Sequence, residues 1–251
     1  MTNLENGHYR FLNRDVIKYI AMFTMLLNHI ASVILDPDTP LYFLLTAIGY
    51  FTAITMIYFL IEGYHYTHSK KVYITRLFLF GLISEIPYCL AFTQGRTIRF
   101  VGLNMMFTLC LCFALVWIKE NIESSGLRSF LSFVIIIFSV ICDWGMLAPI
   151  ITIFFLHAGD SRKKIKTAFL KSVLLFGAYH FLTGLAMHRP LTSNVIFTLL
   201  SMLGMGLAGF CILYLYNGKR MESGRTFSKW FFYLFYPVHL LILGLIRLFV
   251  L

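Results

Sequence analysis

The chain is built from long apolar stretches cut by short polar ones. Runs of apolar residues recur at roughly 17–35, 41–61, 72–93, 100–118, 127–142, 145–158, 168–187, 192–216 and 229–251. Most approach the roughly 20 residues that an α-helix needs to cross a hydrocarbon core. No segment shows the weak, ten-residue alternation of an outer-membrane barrel strand. The pattern therefore predicts an all-α, polytopic membrane helix bundle of about nine transmembrane helices. The fifth and sixth runs are short and meet at Cys142-Asp143-Trp144-Gly145, where a re-entrant or broken pair is the alternative. The first run starts at Ile17 and is too long for a cleavable signal, with no small-residue cleavage site behind it.

Composition agrees with this reading. The 251 residues are 59% hydrophobic and only 13% charged, and the mean hydropathy is +0.79. A soluble domain of this size carries far more charge. No low-complexity linker, soluble domain or internal repeat is visible, so residues 1–251 read as one domain. The five cysteines fall in or at the ends of apolar runs, none in a CxxC spacing, and read as small apolar residues.

The formal charge of +10 would suggest nucleic acid in a soluble protein. Here its sidedness is the first question. With the N-terminus cytoplasmic, only Arg96, Arg99, Arg189 and Arg247 among the 21 Lys and Arg lie on the outer side. The first outer loop, "DPDTP", is acidic. This is the positive-inside bias. It predicts a cytoplasmic N-terminus and an odd number of spans, accounts for the charge without nucleic acid, and leaves the inner segments to meet anionic lipid headgroups.

Polar groups inside such runs are costly unless partnered. Asn28 and His29 sit inside the first run, and Lys18, Met22, Met25 and His29 fall close to one helical stripe. His29 is read equally well as a site residue or as a hydrogen-bonding strut between helices. Glu62, His65 and His68 close the second run, and Lys70, Lys71 and Arg76 open the third. HxxH is a weak metal signal, and no metal is expected. Glu85 lies deeper in the third run and needs a partner. Asn104 and Thr108 share a face of the fourth, Asp143 marks an outer turn, and Tyr179 and His180 lie in the seventh. The last run carries Tyr233, Tyr236, Pro237, His239 and Arg247, with a kink expected at Pro237. So many His, Glu, Arg and Tyr groups from separate helices read as a site more readily than as scattered struts.

Five stretches, "IKYIAMFTMLLNHI", "FLIEGYHYTHSKKVYITRLFLFGLISEIPY", "LNMMFTL", "DWGMLAPI" and "YNGKRM…KWFFYLFYPVHLLIL", span nearly the whole chain. Their order resembles the TraX family, named for a conjugation protein that N-acetylates pilin, which is related to wider transmembrane acyl transferases. The resemblance implies an acyl transferase of the bacterial cytoplasmic membrane. It would move an acetyl group from cytosolic acetyl-CoA to an acceptor (peptide N-terminus, glycan or lipid) near the outer side. It also implies His29 as the catalytic residue. Asn28, Glu62, Glu85, Asn104, Tyr236 and His239 are candidates to assist it, and Lys70, Lys71, Arg76, Lys219 and Arg220 to bind the donor's phosphates. Two positions depart from the family pattern: Asn28 stands where Asp is usual, and Tyr50 where Gly is usually followed by Arg. An Asn orients an imidazole but supplies no charge. A proton- or ion-coupled transporter, or an interaction protein on the same scaffold with altered chemistry, is the alternative.

Overall fold

The computed structural model describes residues 10–95 and 97–250; Arg96 and the last residue of the ninth run, Leu251, lie outside the described residues. The architecture is all-helical, with α1 (Arg14–Ile34), α2 (Pro40–Gly49), α3 (Phe51–Tyr66), α4 (Lys70–Phe92), α5 (Met105–Asn121), α6 (Ser125–Phe138), α7 (Leu147–Ala158), α8 (Arg162–Ala186), α9 (Leu191–Phe210) and α10 (Arg225–Val250). Among the described residues, six helical stretches are long and apolar enough to cross a membrane: Arg14–Ile34, Pro40–Tyr66, Lys70–Phe92, Arg162–Ala186, Leu191–Leu215 and Arg225–Val250. The second joins α2 and α3 through Tyr50, whose backbone stays in the right-handed helical region. The fifth continues α9 through a π-helical turn, Cys211–Leu215. α5, α6 and α7 are shorter and supply the remaining three of the nine segments expected from the pattern.

Local chemistry sets most boundaries. Asn13, Ser69 and Ser124 cap α1, α4 and α6 by accepting a backbone N–H in the first turn, which satisfies one of the donors that a helix start leaves unpaired. Two boundaries differ from expectation. The fourth run was expected to be helical from residue 100, but α5 starts at Met105 because the Asn104 side chain accepts from Met106 N and caps it. α8 begins at Arg162, six residues before its apolar run, so Lys163, Lys164 and Lys166 are helical. Pro237 lies within a continuous α10.

The chain clusters into two compact units. The first holds the described residues up to Met56 with Ala158–Phe232; the second holds Ile57–His157 with the chain from Tyr233 on. In the first, α1 packs on α2, α2 on α9, and α9 on α8. Bare glycines set the closest approaches. A Cβ on Gly204 of α9 would lie 1.9 Å from Ala47 O of α2, and one on Gly49 of α2 would lie 2.1 Å from Asn28 Cβ of α1. In the second, α4 packs on α5 and α5 on α6, and Gly244 of α10 lies against Leu90 and Ala91 of α4.

Candidate functional site

In the first unit, α1 carries the Asn28-His29 pair. His29 is half-buried, and Met22 and Met25 on its stripe are buried. Asn28 is turned to the neighbouring helix: its Nδ2 donates to Thr46 O at 2.9 Å. Adjacent helical residues point about 100° apart, so Asn28 and His29 present their side chains in different directions. Asn28 thus fastens α1 to α2 over the bare face of Gly49.

The N-terminal end of α1 is woven into the loop that carries Lys219 and Arg220. Leu12 N donates to Leu215 O, and Asn217 N donates to Leu12 O, closing a parallel bridge between Leu12 and Tyr216. Arg14 N donates to Lys219 O at 2.9 Å, and the buried Asp15 accepts from Met221 N at 2.8 Å. Gly218 has a φ of +74°, a conformation that favours glycine, and this explains the Asn-Gly in the turn. Lys219 and Arg220 stay exposed. Arg14, Lys219, Arg220 and Arg225 therefore belong to one loop-and-helix-start cluster.

The second unit brings Glu85, Asn104 and Tyr236 together. Glu85 Oε2 accepts from Asn104 Nδ2 at 2.7 Å and Asn104 N at 3.2 Å. Asn104 Nδ2 also donates to Gly81 O at 2.8 Å, and Met105 N donates to Tyr236 Oη at 3.2 Å. The Glu85 carboxylate thus sits at the start of α5, where the helix dipole favours negative charge. Asn104 is fully buried, and its side-chain oxygen and amide hydrogens are all engaged within the unit. His239 is buried, donates from Nδ1 to Phe235 O, and lies edge-on to Tyr236 at 5.8 Å. In the turn between α6 and α7, Thr108 Oγ1 bonds Asp143 O, and burial pushes the Asp143 carboxyl up to about 6 against the opposing hydrogen bond from the Trp144 backbone.

The remaining predicted residues lie on α3 and α4 of this second unit. Glu62 is half-buried. Lys70 Nζ is held by Tyr64 O and Thr67 O, closing the C-terminus of α3, while Lys71 is exposed and Arg76 half-buried. His65 donates from Nδ1 to Ile61 O and faces Glu120 at 2.7 Å, so its partner is a carboxylate. Among the described residues no group of three or more His, Cys, Asp or Glu is placed to hold a metal ion.

Sequence reasoning named Tyr50 and His180 separately but missed that they meet, and passed over the buried polar residues around them. Tyr50 Oη and His180 Nε2 are 3.1 Å apart, and Thr46, Asn194, Thr198 and Ser201 are buried in the same unit. The signal was present: Asn194, Thr198 and Ser201 follow one another at i, i+4 and i+7, one face of α9.

The chain matches the sequence profile of the TraX protein family over residues 13–247. It is 30% identical over 246 residues to the probable fimbrial assembly protein FimC, serogroup H1, of Dichelobacter nodosus, a match covering 93% of this chain and 95% of that protein. No solved structure matches it significantly. Nearly complete coverage by profile and relative alike, over a helical bundle whose motifs fall on the turns and buried faces just described, assigns the chain to the TraX family.

Proposed function

We propose that the protein is a membrane acetyltransferase acting in fimbrial or pilin modification, taking an acetyl group from cytosolic acetyl-CoA to an acceptor near the outer side of the bacterial cytoplasmic membrane. One observation carries the reading: α1 joins a basic loop, on the side that the charge bias assigns to the cytoplasm, to a half-buried histidine. Fifteen residues separate Arg14 from His29, about 22 Å of helix. Phosphate-binding chemistry stands at one end of that span and a base within the membrane at the other. Lys219 and Arg220 meet the donor's phosphates; Lys70, Lys71 and Arg76 are the corresponding candidates of the second unit. His29 takes the proton of the acceptor's hydroxyl or amine as its oxygen or nitrogen attacks the thioester carbon. The carbon–sulfur bond then breaks and the CoA thiolate leaves, taking a proton. Asn104 and Glu85, hydrogen-bonded to each other, act as positioning residues in the second unit, and Tyr236 and His239 are held beside them.

Purified protein in detergent tests this reading by thermal melting against CoA and acetyl-CoA. A ligand at a hundredfold excess over Kd stabilises by about 2.7 kcal/mol, so melting is expected to rise by several degrees. His29→Ala is expected to keep that rise and lose transfer by at least a hundredfold. Asn28→Asp is expected to keep donor binding. Absence of any shift with CoA overturns the donor assignment, and transfer surviving in His29→Ala overturns the role of His29.

A further inference from the structure

The outer half of the first unit holds polar atoms that the protein itself leaves unsatisfied. Thr46 Oγ1, His180 Nδ1, Asn194 Oδ1, Thr198 Oγ1 and Ser201 Oγ are all buried without a hydrogen-bond partner. Each residue is at least nine-tenths buried, Asn194 and Ser201 completely. A buried polar group left unpaired costs about 1–3 kcal/mol. Five such groups would cost as much as the whole net stability of a typical domain. Buried polar groups of this kind are ordinarily satisfied by a bound water or ligand.

These atoms follow one seam. Asn194, Thr198 and Ser201 share a face of α9. At one end Asn194 Nδ2 donates to Phe181 O of α8, and the Phe197 ring meets the His180 ring edge-on at 4.6 Å. At the other end, one turn beyond Ser201, Gly204 touches Ala47 O of α2, the residue after Thr46. Thr46 O in turn holds Asn28. The α8–α9 turn contributes Arg189, whose guanidinium lies 4.9 Å from the Phe197 ring centre and 5.8 Å from that of Phe43.

The chemistry of the walls selects the occupant. Three hydroxyls both donate and accept, the Asn194 oxygen only accepts, and one imidazole nitrogen does either according to its tautomer. No Asp or Glu occurs on α2, α8 or α9, so a buried ammonium or metal cation would lack a counter-charge, and that burial is expensive. Neutral hydroxyl groups match the whole set. We propose that this seam is a hydroxyl-binding route, entered beneath Arg189 and reaching Thr46, that admits water and the neutral hydroxyl end of an acceptor to the α1–α2 contact at Asn28. The acceptor part of this assignment rests on the acyl-transfer reading; the hydroxyl site itself does not.

Two measurements test it without CoA. Thr198→Val and Ser201→Ala keep shape and remove a hydroxyl. Both are expected to lower the melting temperature by a few degrees, because an occupied site loses hydrogen bonds. A rise or no change marks a dry seam and overturns the proposal. Second, Ser201→Cys in a background without the native cysteines is treated from the outer side with methanethiosulfonates. The hydroxyethyl reagent is expected to react at least tenfold faster than the trimethylammonium reagent of similar reach. Protection from both, or faster reaction with the cation, overturns it. Octyl glucoside then distinguishes the source: if it shields Ser201→Cys, the seam takes a sugar-like headgroup, and if labelling continues unchanged, the hydroxyl is water's. Should wild type fail to bind CoA while these results hold, the acyl-transfer reading falls and the hydroxyl seam stands.

Discussion

Glu85 shows at the scale of one residue what a buried carboxylate does here. It was legible as a group in need of a partner, but not which partner. Asn104 lies 19 residues away on the next helix start, and no local spacing rule reaches that far. Glu85 accepts both from the Asn104 side chain and from its backbone at the first turn of α5. Glu85→Ala leaves these donors unpaired, at about 1–3 kcal/mol each. It is expected to melt several degrees below wild type, with Glu85→Gln between them because one accepting oxygen remains. Equal melting of all three would show the network to be energetically idle. Asn28 makes the complementary point. Beside His29 in sequence it looked like an orienting partner, yet helical geometry turns neighbours apart, and its amide serves Thr46 O on α2.

Elements were legible where length and apolarity decide, and less so where caps and close contacts do. The nine segments follow the hydrophobic runs because burial in lipid forces every backbone group into a helix. The start of α5 was missed by five residues because Val101 and Leu103 continue the apolar run, while the chain is bent at Gly102, with φ +114°, and capped by Asn104. The α2–α9 contact was invisible for a related reason: a glycine's role depends on what stands opposite. Gly204→Ala sets a Cβ 1.9 Å from the Ala47 backbone oxygen, which no side-chain rotation relieves. Overpacking of this kind costs about 1–3 kcal/mol, and melting is expected to fall. Gly206, two residues on, has nothing within 4 Å of an added Cβ. Gly206→Ala is expected to raise melting modestly, since alanine is favoured over glycine in a helix by about 1 kcal/mol. The two variants share a helix and a chemistry, so opposite shifts isolate the contact.

At the scale of the molecule, the charge pattern predicts an orientation while the two-unit division stays hidden. Each unit is assembled from distant pieces of chain, and only long-range packing reveals that. Orientation needs less, because Lys and Arg are retained on the cytoplasmic side. The α8 boundary sharpens the argument. Arg162, Lys163, Lys164 and Lys166 all lie on its first turns, and Arg189 stands past its far end. One helix therefore carries the asymmetry from face to face. Lys164 is exposed at the basic end, and His188 is exposed beyond the other. In intact cells a membrane-impermeant maleimide is expected to label His188→Cys at once and Lys164→Cys only after permeabilisation. The native cysteines, buried or half-buried, set the baseline. The reverse pattern would invert the chain in the membrane. It would put the Lys219–Arg220 loop on the outer face, out of reach of a cytosolic donor, and the acyl-transfer reading would fail with the orientation that supports it.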